Sequence, residues 1–156
     1  MVYGGSAKKL AQTLGKPTSM GEELYEAYWN GNPGLKKLKQ LVEAAYRKWG
    51  YLLSIDKRPL TIRYKHALIN TLFQSCGSII MKIALCIFED LLERDRIIAP
   101  AVGNFHDEFQ REANPDEAEQ VGILGVQSIK EAAILLEMNV PFTGEYKIGH
   151  NWAETH

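Results

Sequence analysis

His66-Ala67-Leu68-Ile69-Asn70-Thr71-Leu72-Phe73-Gln74-Ser75 opens the longest helical pattern in the chain, running from about Lys65 to Glu93. Within it His66, Asn70, Gln74, Ser78 and Lys82 recur every four residues. Each step of four turns about 400°, so neighbouring members fall within about 40° of one another on the helix surface. Leu68, Leu72, Phe73, Ile79, Ile80 and Ile83 cover the other sides. The pattern predicts a mostly buried helix with one polar stripe. Ala67 to Phe88 is nearly uncharged, but Asn70, Gln74, Ser75, Ser78 and Lys82 make it a poor membrane span.

Such a stripe needs hydrogen-bonding partners, because an unpaired buried polar group costs roughly 1–3 kcal/mol. Protein backbone can supply them, and for a periodic polar face that is the commoner arrangement. A ligand lying along the helix can supply them too. The minor groove of duplex DNA offers N3 and O2 acceptors at nearly every base pair, which suits Asn, Gln, Lys and His donors.

Outward from this helix the chain alternates helical and extended patterns. Ser6 to Leu14 reads as a short helix ended by Gly15. Ser19-Met20-Gly21-Glu22 has the form of a capping box opening a helix through about Trp29. Asn30-Gly31-Asn32-Pro33-Gly34 reads as a turn, and Leu35, Leu38, Val42, Ala45 and Trp49 then keep helical spacing up to a stop at Gly50. Tyr51 to Ser54 and Leu60 to Tyr64 predict two short strands around Asp56 and Lys57. Ala101 to Ala113 predicts two more, meeting near His106-Asp107. Asn114-Pro115 suits a cap and a first-turn proline for a helix reaching about Met138. Val140 to Trp152 reads as extended. The class is α+β, helices against a small antiparallel sheet.

The formal net charge of -1 does not announce a polyanionic partner. Its distribution is uneven. Leu35 to His66 carries nine Lys and Arg against Glu43 and Asp56, whereas Glu89 to Gln120 carries ten Asp and Glu against Arg94, Arg96 and Arg111. Such asymmetry gives one face for an anionic polymer, or simply two solvated helix faces. Lys57, Arg58, Arg63 and Lys65 are the basic residues best placed for phosphates. Cys76 and Cys86, ten residues apart on one helix, sit about 15 Å apart, too far for a disulfide, so a reducing cytoplasm is expected.

His106-Asp107-Glu108, between Phe105 and Phe109, is the other group with chemical potential. Neighbouring acids on a strand face opposite ways unless a turn re-aims them. A carboxylate at a hairpin tip suits Mg²⁺, which prefers oxygen ligands and phosphates. By itself the Asp-Glu pair is a weak motif, far more often a solvated turn than a metal site. His150-Asn151-Trp152 reads as a docked aromatic more readily than as a metal ligand set.

In order and spacing these pieces resemble DNA polymerase I-type (family A) polymerases, most closely the replicative enzymes of T-odd-type bacteriophages. Met1-Val2-Tyr3-Gly4-Gly5 resembles the end of the fingers motif, Asn32-Pro33-Gly34-Leu35 a helix junction in the fingers, and Arg58 to Arg63 the segment after it. The opening stretch His66 to Ser75 is the most specific match. Phe105 to Phe109 is similar to the palm's catalytic hairpin, and Gly149-His150-Asn151-Trp152-Ala153 with His156 to the ending of the phage enzymes.

The resemblance implies a fingers portion over about residues 1–50 and a palm portion over about 51–156. It implies that His66, Asn70 and Gln74 read the minor groove of a primer–template duplex, with Arg58 and Arg63 on phosphates. It implies Asp107 as a Mg²⁺ ligand in a two-metal site, with His106 and Glu108 as further catalytic candidates beside it. The family's second palm aspartate and the Arg, Lys and aromatic of the fingers helix would precede Met1. The expectation is therefore negligible activity alone, with the upstream part on a partner polypeptide or on a longer protein of which this is a piece. The alternative is a non-catalytic duplex DNA-binding or assembly module, or an inactive remnant. A deoxynucleoside triphosphate would join the complete site, and an open sheet edge would favour self-association.

Overall fold

The computed structural model describes residues 5–155. Met1 to Gly4 of the tyrosine-glycine motif and the terminal His156 lie outside the described residues. The chain divides into two compact units, Met1–Ser75 and Cys76–His156.

In the first unit, α1 (Ala7–Leu14) starts where Ser6 Oγ accepts the Lys9 N–H and stops at Gly15, whose φ of 61° is left-handed. Helix α2 (Thr18–Gly31) follows Pro17 directly, so the expected capping box is not formed. The helix already begins at Thr18, which puts Ser19 inside its first turn, and at Gly21 it meets α1, where a Cβ would lie 2.4 Å from the Ala7 carbonyl oxygen. Only Asn32 separates α2 from α3 (Pro33–Trp49), so the expected turn shrinks to one residue. Pro33 opens α3 without needing a donor, and Asn32 Nδ2 closes α2 by donating to the Tyr28 carbonyl. Gly50, at φ 77°, ends α3.

Strands β1 (Leu52–Leu53) and β2 (Pro59–Leu60) pair antiparallel around a turn in which Lys57 has φ 66°. The core here joins Val42 of α3, Leu52 of β1 and Leu68, with Leu38, Tyr46, Leu60, Ile62 and Leu72 packed around them. A 3-10 turn (Lys65–Ala67) leads into α4 (Leu68–Asp95), which gives its first eight residues to this unit and the rest to the second.

In the second unit, β3 (Ala101–Phe105) and β4 (Glu108–Arg111) form a separate hairpin, so the described residues hold two two-stranded sheets rather than one. Helix α5 (Ala118–Leu135) begins three residues later than expected, because Asn114 Nδ2 donates to Glu117 instead of capping the helix. Beyond α5 an extended tail ends in one helical turn, α6 (Trp152–Thr155). The core joins Phe88, Leu91, Leu92, Ala99, Val121 and Leu124, with Phe109 packed on it.

By length and composition, Lys65–Asp95 is apolar enough to cross a membrane. Its apolar residues instead enter the protein cores through Leu68, Phe88, Leu91 and Leu92. The polar row stands outward: His66, Gln74, Ser78 and Lys82 are exposed and Asn70 is half-buried. The helix is thus one-sided rather than mostly buried.

Candidate active site

The β3–β4 hairpin places its acids by register. Phe105 faces Glu108, which leaves His106 and Asp107 as a two-residue turn. His106 takes a left-handed φ of 54°, a conformation that costs a β-carbon-bearing residue about 1 kcal/mol and collects at functional turns. Asp107 is exposed at the tip, and no hydrogen bond or ion pair to another described residue engages it. Glu108, the first residue of β4, is half-buried and accepts a hydrogen bond from Gln110 Nε2 at 3.0 Å. Two residues apart on a strand share a face, so Glu108 and Gln110 bond along one face of the sheet. An extra residue at Val102 bulges β3 between the Ala101 and Gly103 pairs.

The hairpin is held to α4 by Arg111. Its guanidinium donates to the Ala99 carbonyl at 2.7 Å, pairs with Glu89, and lies 4.4 Å over the Phe88 ring. Phe109 packs on the same ring with centroids 6.1 Å apart.

Among the described residues, no three His, Cys, Asp or Glu side chains converge as a metal cluster. A hard divalent cation such as Mg²⁺ takes few protein carboxylates and fills its shell with water and phosphate. Asp107 fits one such ligand: an oxygen donor, exposed and unengaged. The hairpin tip offers this single carboxylate, and a cation held there would need further oxygen ligands from elsewhere.

The polar row begins in the first unit. His66 sits in the 3-10 turn and stacks on Tyr64, with ring centroids 5.4 Å apart at 15°. Asn70 Oδ1 is buried without a partner, the kind of unmet polar atom that calls for a reason. Gln74 is exposed. Arg58 is held by Asp56, so its charge is partly spent within the β1–β2 turn. Arg63 is exposed with no ion pair among the described residues. Asp107 belongs to the second unit, His66, Asn70 and Gln74 to the first.

Sequence reading did not single out Tyr64, Arg111 or the contact made by Phe105. Tyr64 was available as an aromatic two residues before His66. Arg111 was counted only as a minority base in an acidic segment. Trp152, expected to be docked and buried, is stacked on Phe105 yet 56% exposed.

A family model described as DNA polymerase family A matches residues 1–154. The chain is 28% identical over 162 residues to the DNA-directed DNA polymerase of Escherichia phage Phieco32, covering 99% of this chain and 26% of that protein. It is 27% identical over 178 residues to the DNA-directed DNA polymerase of Escherichia phage T7, covering 99% of this chain and 25% of that one. It thus spans about a quarter of the length of these relatives. The fold is that of a solved structure, the POL domain of Pol1 from M. smegmatis in complex with DNA primer-template and dNTP. The TM-score is 0.75 at 22% identity, over 84% of this chain and 25% of that one.

Proposed function

This chain belongs to DNA polymerase family A, and on that premise we propose that it forms the C-terminal part of the polymerase domain of a DNA-directed DNA polymerase. Residues up to about 50 act as a fingers portion and 51–156 as a palm portion. The reading is carried by one observation: an exposed, unengaged Asp107 stands at the tip of a two-residue hairpin in a chain matched along residues 1–154 to this family.

Asp107 is the residue that would hold Mg²⁺, and Mg²⁺ there would supply charge neutralisation on the phosphoryl group being transferred. Glu108 and His106 shape the turn around it. His66, Asn70 and Gln74 offer donors to minor-groove acceptors, which the four base pairs present almost alike, so the contact tolerates any sequence. Arg63 contacts a backbone phosphate, with Arg58 beside it once freed from Asp56. The substrates are a primer–template duplex and a deoxynucleoside triphosphate, handled in the cytoplasm of a bacterial or phage-infected cell. The second palm carboxylate and the cations of the fingers helix come from sequence outside these 156 residues.

The test is reconstitution. The chain is mixed with a polypeptide supplying those upstream groups, and primer extension is measured. Extension should appear, and Asp107→Asn should lower kcat by about 100-fold or more while leaving the melting temperature unchanged. Extension that survives Asp107→Asn rejects the role given to Asp107. Duplex binding without any restored extension points instead to a non-catalytic DNA-binding module.

A further inference from the structure

The turn that carries Asp107 is braced from the C-terminal end of the chain. Phe105, the last residue of β3, stacks on Trp152, the first of α6, with ring centroids 5.6 Å apart and planes at 14°. The rings are 49% and 56% exposed, so burial alone does not explain why they meet. Local devices place each of them. Gly103 leaves the room that Phe105 occupies: a Cβ there would lie 2.4 Å from Phe105 Cε2. Glu154 closes the terminal turn, its carboxylate accepting the His150 N–H at 2.8 Å and Asn151 Nδ2 at 2.9 Å. A carboxylate at the third helical position reaching back over the preceding amides is a capping arrangement. Gly149 makes space for it, since a Cβ there would sit 2.7 Å from that of Glu154. The tail thus spends four residues, Gly149, His150, Asn151 and Glu154, on presenting one indole to the hairpin.

We propose that Trp152 is a positioning residue for Asp107. A two-stranded hairpin has little stability of its own, and Phe105 is covalently next to the left-handed His106. Stacking Trp152 on Phe105 fixes the base of the turn, and with it the direction in which the Asp107 carboxylate points. Placement within about 1 Å decides rates at such sites. What Asp107 does once placed rests on the polymerase reading above; the clasp itself does not.

Two readouts separate these. In the full 156-residue chain, Trp152→Ala should speed amide hydrogen exchange at Phe105 to Phe109 by about tenfold and leave α5 unchanged. Trp152→Phe should restore protection. Unchanged exchange at the hairpin, or equal acceleration in α5, overturns the clasp. In the reconstituted extension assay, Trp152→Ala should lower kcat about tenfold with KM for primer–template held within about twofold, and Trp152→Phe should recover it. A loss confined to KM overturns the positioning role. If the unsubstituted chain never supports extension, the polymerase reading fails, and the exchange result alone decides the clasp.

Discussion

Arg111 shows how much a single side chain can carry without any sign in local sequence. Its side chain is 4% exposed while its partner Glu89 is 57% exposed. The two ends of this pair are therefore worth different amounts. Removing Glu89's charge leaves Arg111 its bond to the Ala99 carbonyl and its place over Phe88. Removing Arg111 strips the buried Ala99 carbonyl of a donor and uncovers the Phe88 ring. Glu89→Gln should cost under about 1 kcal/mol, as half-solvated pairs do, and Arg111→Ala about 2 kcal/mol. Urea unfolding of both variants checks this, and equal losses would show that the ion pair, not the carbonyl and ring contacts, anchors the hairpin. The Asp107 tip was legible in sequence because two apolar-flanked runs close on His106-Asp107. Arg111 was not, because its partner lies 22 residues away and only the fold brings Glu89 to it.

At the scale of elements, helix ends that depend on backbone conformation were readable, and those that depend on neighbours were not. Gly15 and Gly50 stop their helices because both adopt positive φ, which glycine reaches without strain. The Ser19 capping box is absent because the helix already begins at Thr18, which puts Ser19 inside its first turn, just before Gly21 meets α1. The C-terminal tail repeats this lesson on α5. Tyr146 lies over Gly122, where a Cβ would come 2.3 Å from the ring, and its hydroxyl is bonded to Glu119. Gly122→Ala gains helix propensity of about 1 kcal/mol but displaces the ring. Limited proteolysis should then cut the tail between Val140 and Asn151 faster while α5 stays resistant, and an unchanged digest would mean that the tail is held elsewhere. The bond to Glu119, followed by desolvation, raises the Tyr146 pKa. A raised phenol pKa means the neutral form is favoured when folded. Its contribution is thus complete below the ordinary value of about 10 and lost as pH climbs through the raised value. Faster tail cleavage should set in only above that range, and Tyr146→Phe should abolish the dependence.

For the whole molecule, the near-neutral total conceals two oppositely charged units. Met1–Ser75 holds twelve Lys and Arg against five Asp and Glu, a formal +7, and Cys76–His156 holds six against fourteen, a formal -8. The first carries the polar row's His66, Asn70 and Gln74, as well as Arg63, so duplex binding should belong to it. The acids of the second suit a site that gathers cations. Two kinds of contact should then separate by salt. A phosphate contact releases counterions, whereas a groove contact does not. Binding of the chain to a duplex of arbitrary sequence, followed by fluorescence anisotropy across a salt series, should fall linearly on logarithmic axes. Arg63→Ala should weaken it and make the slope shallower by about one. Gln74→Ala should weaken binding by several-fold with the slope unchanged, and by the same factor on A·T-rich and G·C-rich duplexes, because acceptors are common to both. Arg58→Ala should change the slope less than Arg63→Ala, since Asp56 already neutralises part of that charge. A slope that ignores Arg63, or a Gln74→Ala loss that depends on base sequence, would remove the first unit from the duplex and leave the outward polar row as a solvated helix face.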